Sequence, residues 1–296
     1  MKKKATFPQL LIHTAFAVLL TMLTGFLGAP FLRVIRQSQG AWRYWLTGLV
    51  VVTAFWVLGT PALSVLLLSL WMTLGVYSEL EGHGWGWRTS GFVSLFAGTM
   101  AGAAGFTAVL VRAGVTNWDG FVGLVSELTA TVQKFNPEVK PDPTMLAQQA
   151  PSVLVIMLIL ALGIGLIFER KLFVWSGLPR ERVASHLKLL EFRLPDFYVW
   201  IALAGFFLTV VNFGSNALAA LGLNIVNVSI VLYFFQGLAV LEVLLNSLKA
   251  GIFVRILTYV FLVGQLFFVI SAAGFIDYWA DFRRRLSNSG MAAEKS

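Results

Sequence analysis

The chain has 296 residues, 58% apolar and 12% charged, where a soluble domain carries roughly 25% charged residues. That leaves too little charge to cover a soluble surface, so the expected class is all-α: a polytopic transmembrane helical bundle of about eight spans. The net charge of +8 lies mainly between apolar runs and at the ends, as for charges that fix orientation and meet anionic lipid, and it excludes nucleic acid as the expected partner; the lack of cysteine excludes disulfides and thiolate metal sites.

A spanning helix needs roughly 20 mostly apolar residues. Eight segments qualify: about 9–30, 42–58, 61–78, 90–112, 152–168, 197–215, 223–247 and 251–276. The opening stretch MKKKATFPQLLIHTAFAVLLTMLTGF has the basic head of a signal peptide. Its apolar run is too long for one, and no small-residue cleavage site follows, so it reads as a retained first span. Gly59-Thr60-Pro61 separates the second and third segments, because proline can begin a helix but not continue one.

At the next boundary, EGHGWGWR (81–88) places Trp85 and Trp87 where indoles anchor at the membrane interface. Glu79, Glu81 and His83 lie nearby, but one histidine among flexible glycines predicts no metal site. The fourth segment contains GTMAGAAGFTA. Gly98 and Gly102, with Ala101 and Gly105, put small residues four apart, the spacing of close helix packing.

Residues 113–151 are expected to form an extramembrane connector. Phe121, Leu124, Val125, Leu128 and Val132 recur at helical spacing there, predicting an interfacial amphipathic helix that NPEVKPDP ends. Residues 169–196 are expected as a charged connector. With no soluble domain in view, residues 1–296 read as one integral membrane domain. Lys and Arg divide almost evenly between the two sides of an eight-span arrangement, so charge sets no orientation.

The seventh segment and its turn read VLYFFQGLAVLEVLLNSLKAGIFVR over 231–255. At helical spacing, Asn224, Asn227, Glu242, Asn246 and Lys249 fall within about 100° of one another, with Gln236 off that face. A face this polar avoids lipid. Two readings stand beside each other: a solute path with Glu242 as its ionisable group, or polar side chains joining helices through hydrogen bonds. Arg255, one turn into the eighth segment, can reach Glu242. Pairing would make the carboxylate a structural clamp; without it Glu242 suits proton exchange. Gln265 shares the Arg255 side, which completes the candidate lining.

The end of the chain, GFIDYWADFRRRLSNSG, leads through Trp279 into Arg283, Arg284 and Arg285, an interfacial anchor. No HExxH, Walker-type GxxxxGK[ST], GxSxG or carboxylate-rich metal loop occurs, so neither catalysis nor a metal or other cofactor is expected.

Three stretches, LLEFRLPDFYVWIALAGF (189–206), FFQGLAVLEVLL (234–245) and GFIDYWADFRRR (274–285), together resemble the YybS-like family of bacterial multi-span membrane proteins. That family is in turn distantly similar to the S components of energy-coupling-factor transporters, which bind a small solute in a helical bundle and dock on a shared ATP-driven module. The resemblance implies a solute-binding bundle in a bacterial cytoplasmic (inner) membrane, and it supplies no binding residues. The expected function is therefore solute binding or transport. The alternative is a non-transporting scaffold that recruits membrane proteins.

Overall fold

Hydrocarbon offers no hydrogen-bonding partner to a backbone, so a chain of this composition satisfies its own amides and carbonyls within helices. In the computed structural model every regular element among the described residues is helical. The structure describes residues 6–135, 138, 141–177, 192–211 and 213–282, without the side chains of residues 170, 262 and 263. Where a single integral domain is expected, the contacts divide the chain into two compact units, Met1–His186 and Leu187–Ser296.

In the first unit, α1 (Phe7–Thr24) opens at Thr6, whose N–H donates to Gln9 Oε1 at 2.9 Å. It stops at Gly25, whose φ of 82° is a left-handed conformation that L side chains adopt only with strain. The chain restarts as α2 (Ala29–Gln39). Gly28 lies so close to the Ala17 carbonyl and the Thr21 hydroxyl that a Cβ would have no room. The span expected over 9–30 appears as α1, which ends six residues earlier, because local backbone geometry interrupts a run that hydropathy sees as continuous.

The helices α3 (Ala41–Val57) and α4 (Pro61–Gly82) flank Gly59, another left-handed glycine (φ 82°). Tyr44 OH donates to the Trp71 carbonyl (2.7 Å), and Trp71 Nε1 donates to the Tyr44 carbonyl (3.0 Å). The polar tip of each buried ring is thereby satisfied by the backbone carbonyl of the other residue. Against α4 packs α5 (Trp87–Arg112), through Gly98 beside Thr73 and Ser69, Gly102 beside Ser69, and Gly105 beside Val65.

Next come α6 (Trp118–Phe135), which carries the amphipathic stripe, and α7 (Pro143–Trp175). Asp142 caps α7 by accepting from the Thr144 N–H at 2.9 Å. The expected fifth segment, 152–168, is only the middle of this 33-residue helix. Its first turns fall in the expected 113–151 connector, and its last fall in 169–196. Pro151 lies inside it and leaves the Ala147 carbonyl without the usual helical donor.

The second unit holds α8 (Tyr198–Val210), α9 (Asn216–Ser247), α10 (Ile252–Gln265) and α11 (Phe267–Ala280). Glycines set both of its main crossings. Gly205 and Gly222 face each other between α8 and α9, and Gly237 meets Ile270 while Gly274 meets the Tyr233 carbonyl between α9 and α11. The expected 251–276 span is two helices parted at Leu266, whose φ of −118° and ψ of 33° leave helical geometry. Apart from Gly264, no residue type marks that break.

Among the described residues, five helical segments are long and apolar enough to cross a membrane: Phe7–Thr24, Pro61–Gly82, Trp87–Arg112, Pro143–Glu169 and Asn216–Ser247. The remaining expected segments appear as shorter apolar helices at Ala41–Val57, Tyr198–Val210, Ile252–Phe261 and Phe267–Ala280.

Candidate functional site

The polar face of α9 closes on α10. After Ser247 the chain turns through Lys249, which adopts a left-handed φ of 49°, and re-enters a helix at Ile252. This turn returns Arg255 to α9. Its Nε donates to the Ala250 carbonyl (3.0 Å), Nη1 to Glu242 Oε1 (2.8 Å) and Nη2 to Asn246 Oδ1 (2.6 Å). Tyr259 OH donates to the other carboxylate oxygen, Glu242 Oε2, at 2.6 Å. Both oxygens of Glu242 therefore already have donors, and three nitrogens of Arg255 have acceptors. Chemically the arrangement is a charge-assisted clamp between helices.

The other candidate lining residues do not join that cluster. Gln236 is buried and spent on backbone: its Oε1 accepts from the Leu194 N–H (3.0 Å) and its Nε2 donates to the Gly274 carbonyl (2.9 Å). It ties the approach to α8 onto α9 and α11. Asn224 donates to the Ala220 carbonyl one turn back (2.7 Å), and half-buried Asn227 also has a partner. Gln265 is exposed at the last residue of α10. Trp85 and Trp279 are exposed, and Trp87 is half-buried with the Arg88 guanidinium 5.3 Å from its ring. Arg283, Arg284 and Arg285 lie outside the described residues.

A second polar centre, in the first unit, escaped sequence reasoning. Arg33 on α2 is fully buried. Its Nη2 donates to Glu169 Oε2 (2.7 Å) on α7 and to Glu81 Oε2 (2.8 Å) on α4, Nη1 donates to Ser78 Oγ (2.8 Å), and Nε approaches Glu169 at 3.2 Å. The Tyr77 ring lies 5.1 Å from the guanidinium carbon, within cation–π range. One helical turn on, Arg36 forks onto Glu79 at 3.0 and 2.7 Å, and Trp45 Nε1 donates to the same carboxylate at 3.3 Å. Burial opposes the Arg33 charge, yet the Glu169 and Glu81 carboxylates outweigh it and hold the guanidinium above its ordinary pKa. The available signal was FLRVIR itself: a cation inside an apolar run must find an anion, and this chain has few.

The third feature is a cleft of about 400 Å³ in the second unit, bounded by α8, α9 and α11. Its floor is a single stripe of α9, Val226, Ser229, Ile230 and Tyr233. Phe206 of α8 and Phe268 of α11 stand on either side. Ser229 brings to the floor a hydroxyl that lies 3.3 Å from Tyr198 OH, and Tyr233 and Ser271 are the other hydroxyl-bearing residues of a mainly apolar lining. Sequence reading missed this site too, since its polar side chains, Ser229, Tyr233 and Ser271, are isolated hydroxyls within apolar runs. No group of three or more His, Asp or Glu side chains able to hold a metal occurs among the described residues.

The chain belongs to the predicted membrane protein family DUF2232, which it matches over residues 6–278. Comparison with curated proteins gives no match. Comparison with solved structures gives none either.

Proposed function

We propose that this DUF2232 member is a solute-binding or transport protein of a bacterial cytoplasmic membrane, with no catalytic chemistry of its own. The observation that carries the reading is the three-helix cleft. Its volume of about 400 Å³ lies within the ~300–1,000 Å³ typical of small-molecule sites, and such sites pair apolar walls with a few placed polar groups. The site thereby moves from the Glu242 face to the Ser229 stripe, because the Glu242 face spends its polar groups internally. The sequence carries no Walker-type motif, so any ATP drive comes from a partner module, in the manner of the S components.

A second reading, the non-transporting scaffold, draws on that same internal closure. The Glu242–Arg255–Tyr259 cluster is what a helix-joining role requires.

Thermal unfolding of the full chain in detergent, against a panel of vitamins and small metabolites, separates the two. A ligand at a hundred times its Kd stabilises the folded state by ~2.7 kcal/mol. We expect a specific upward shift that persists in Glu242→Gln and is lost in Ala272→Trp, which fills the cleft. A shift lost in Glu242→Gln but kept in Ala272→Trp would return the site to the polar face of α9. No shift from any compound, an uncharged amphiphile included, supports the scaffold.

A further inference from the structure

We infer that the cleft takes an uncharged, single-chain amphiphile with a hydroxyl head, such as a long-chain alcohol, admitted sideways from the bilayer. The inference rests on the solute-binding reading and names the ligand class for its site. Charge gives the first argument. No Lys, Arg, Asp, Glu or His lines the cleft, and stripping an ion of water without a counter-charge is prohibitive. An anionic or cationic solute therefore has no reason to enter.

Depth and access give the second argument. Ser229 and Tyr233 at the floor are each only 5% exposed, whereas Phe206 and Phe268 at the sides are 59% and 71% exposed. The cleft is thus an open-sided trough. Its walls are helices of 13 and 14 residues, about 20 Å each at 1.5 Å per residue, shorter than a hydrocarbon core of about 30 Å. A trough on such short apolar helices meets lipid before it meets water.

The floor supplies the third. Tyr198 OH and Ser229 Oγ share one hydrogen bond whichever of them donates. Of the two, Ser229 lines the cleft: its Oγ keeps a free lone pair in either case, and its proton as well when Tyr198 donates, so it can meet a small head group. Ser271 Oγ is occupied by the Phe267 carbonyl, at 3.0 Å. A ligand that fits lays its chain along the α9 stripe and offers one small neutral group able both to donate and to accept.

The test uses the full chain in dioleoylphosphatidylcholine vesicles with a diazirine-bearing hexadecanol, and the matching diazirine palmitate as its charged counterpart. We expect the alcohol to label peptides of α8, α9 and α11, with competition by unlabelled hexadecanol and little labelling by palmitate. Ala272→Trp should abolish the labelling, with Leu203→Trp as a second filling variant should the first fail to fold. Ser229→Ala should weaken it about 3–10-fold, the effect of one net hydrogen bond. Uniform labelling without competition, or equal labelling by palmitate, overturns the inference and leaves an ordinary lipid-bathed groove. Should a water-soluble compound from the thermal panel bind in a manner sensitive to Ala272→Trp while hexadecanol does not compete, the ligand class falls and the solute-binding reading stands. If neither the alcohol nor any panel compound binds, both fall.

Discussion

Arg33 presents the hardest electrostatic problem in the chain. It is fully buried beside a fully buried carboxylate, Glu169, with Glu81 one-fifth exposed on its other side. A guanidinium solves the problem because its planar fork reaches Glu169, Glu81 and Ser78 at once. Arg33→Met removes a fully buried cation in direct contact with two carboxylates. We expect a loss of about 3–5 kcal/mol, the usual result of breaking a buried pair from one side, seen as a large fall in unfolding temperature in detergent. Arg33→Lys should recover little of it, since an ammonium cannot span three acceptors in fixed directions. A Lys variant as stable as the wild type would mean that the fork geometry is not what matters. Residues differ in how far the sequence betrays them. Glu242 and Arg255 are 13 positions apart across one turn, close enough for stem length and helical spacing to suggest the pair. Arg33 and Glu169 are 136 positions apart, and nothing local to either names the other.

Two helix contacts at the next scale make opposite predictions about rigidity. α10 exposes Ile252, Phe253, Ile256, Leu257 and Val260, and turns Arg255 and Tyr259 to α9 as its polar attachment. Cutting that attachment with Arg255→Met should raise hydrogen exchange in α10 about tenfold, as expected when charge-assisted bonds holding a local unit are lost, while the centre of α9 stays protected. Equal exchange in wild type and variant would show that apolar contacts alone hold α10. The α4–α5 seam is the reverse case. A side chain at Gly98 would overlap Thr73 Oγ1 and approach the Ser69 carbonyl, so Gly98→Leu forces the helices apart at a penalty of at least ~1–3 kcal/mol. Gly91→Ala, where an added Cβ meets only Leu162 at 4.0 Å, should be neutral or stabilise by about 0.5–1 kcal/mol through helix propensity. Comparative unfolding of the two variants measures the difference. The seam was legible because small residues four apart describe a surface that only another helix can use. The breaks at Gly25–Gly28 and Leu266 were not, since hydropathy averages over a non-helical turn as readily as over a helix.

Across the whole molecule, 12% charged residues point to lipid, and continuous apolar runs of about 20 residues, rather than the alternating segments of a barrel, make the class helical. Composition did not reveal the partition into Met1–His186 and Leu187–Ser296, which depends on which helices touch. Each unit holds an ionic network made from its own residues: Arg33 with Glu81 and Glu169 in the first, Glu242 with Arg255 in the second. The two networks have no member in common, so their energies should add. The single variants Arg33→Met and Glu242→Gln are expected to lose about 3–5 and about 1–2 kcal/mol, the second being smaller because its pair is partly exposed. The double variant should lose their sum within about 0.5 kcal/mol, as independent sites do. If the units also unfold separately, the melt resolves into two steps, with each substitution moving only one, and a single unfolding free energy ceases to describe the chain. A coupling well above 0.5 kcal/mol would instead require a physical connection between the networks. Calorimetry on the four species distinguishes these outcomes, and it does so without knowledge of any ligand.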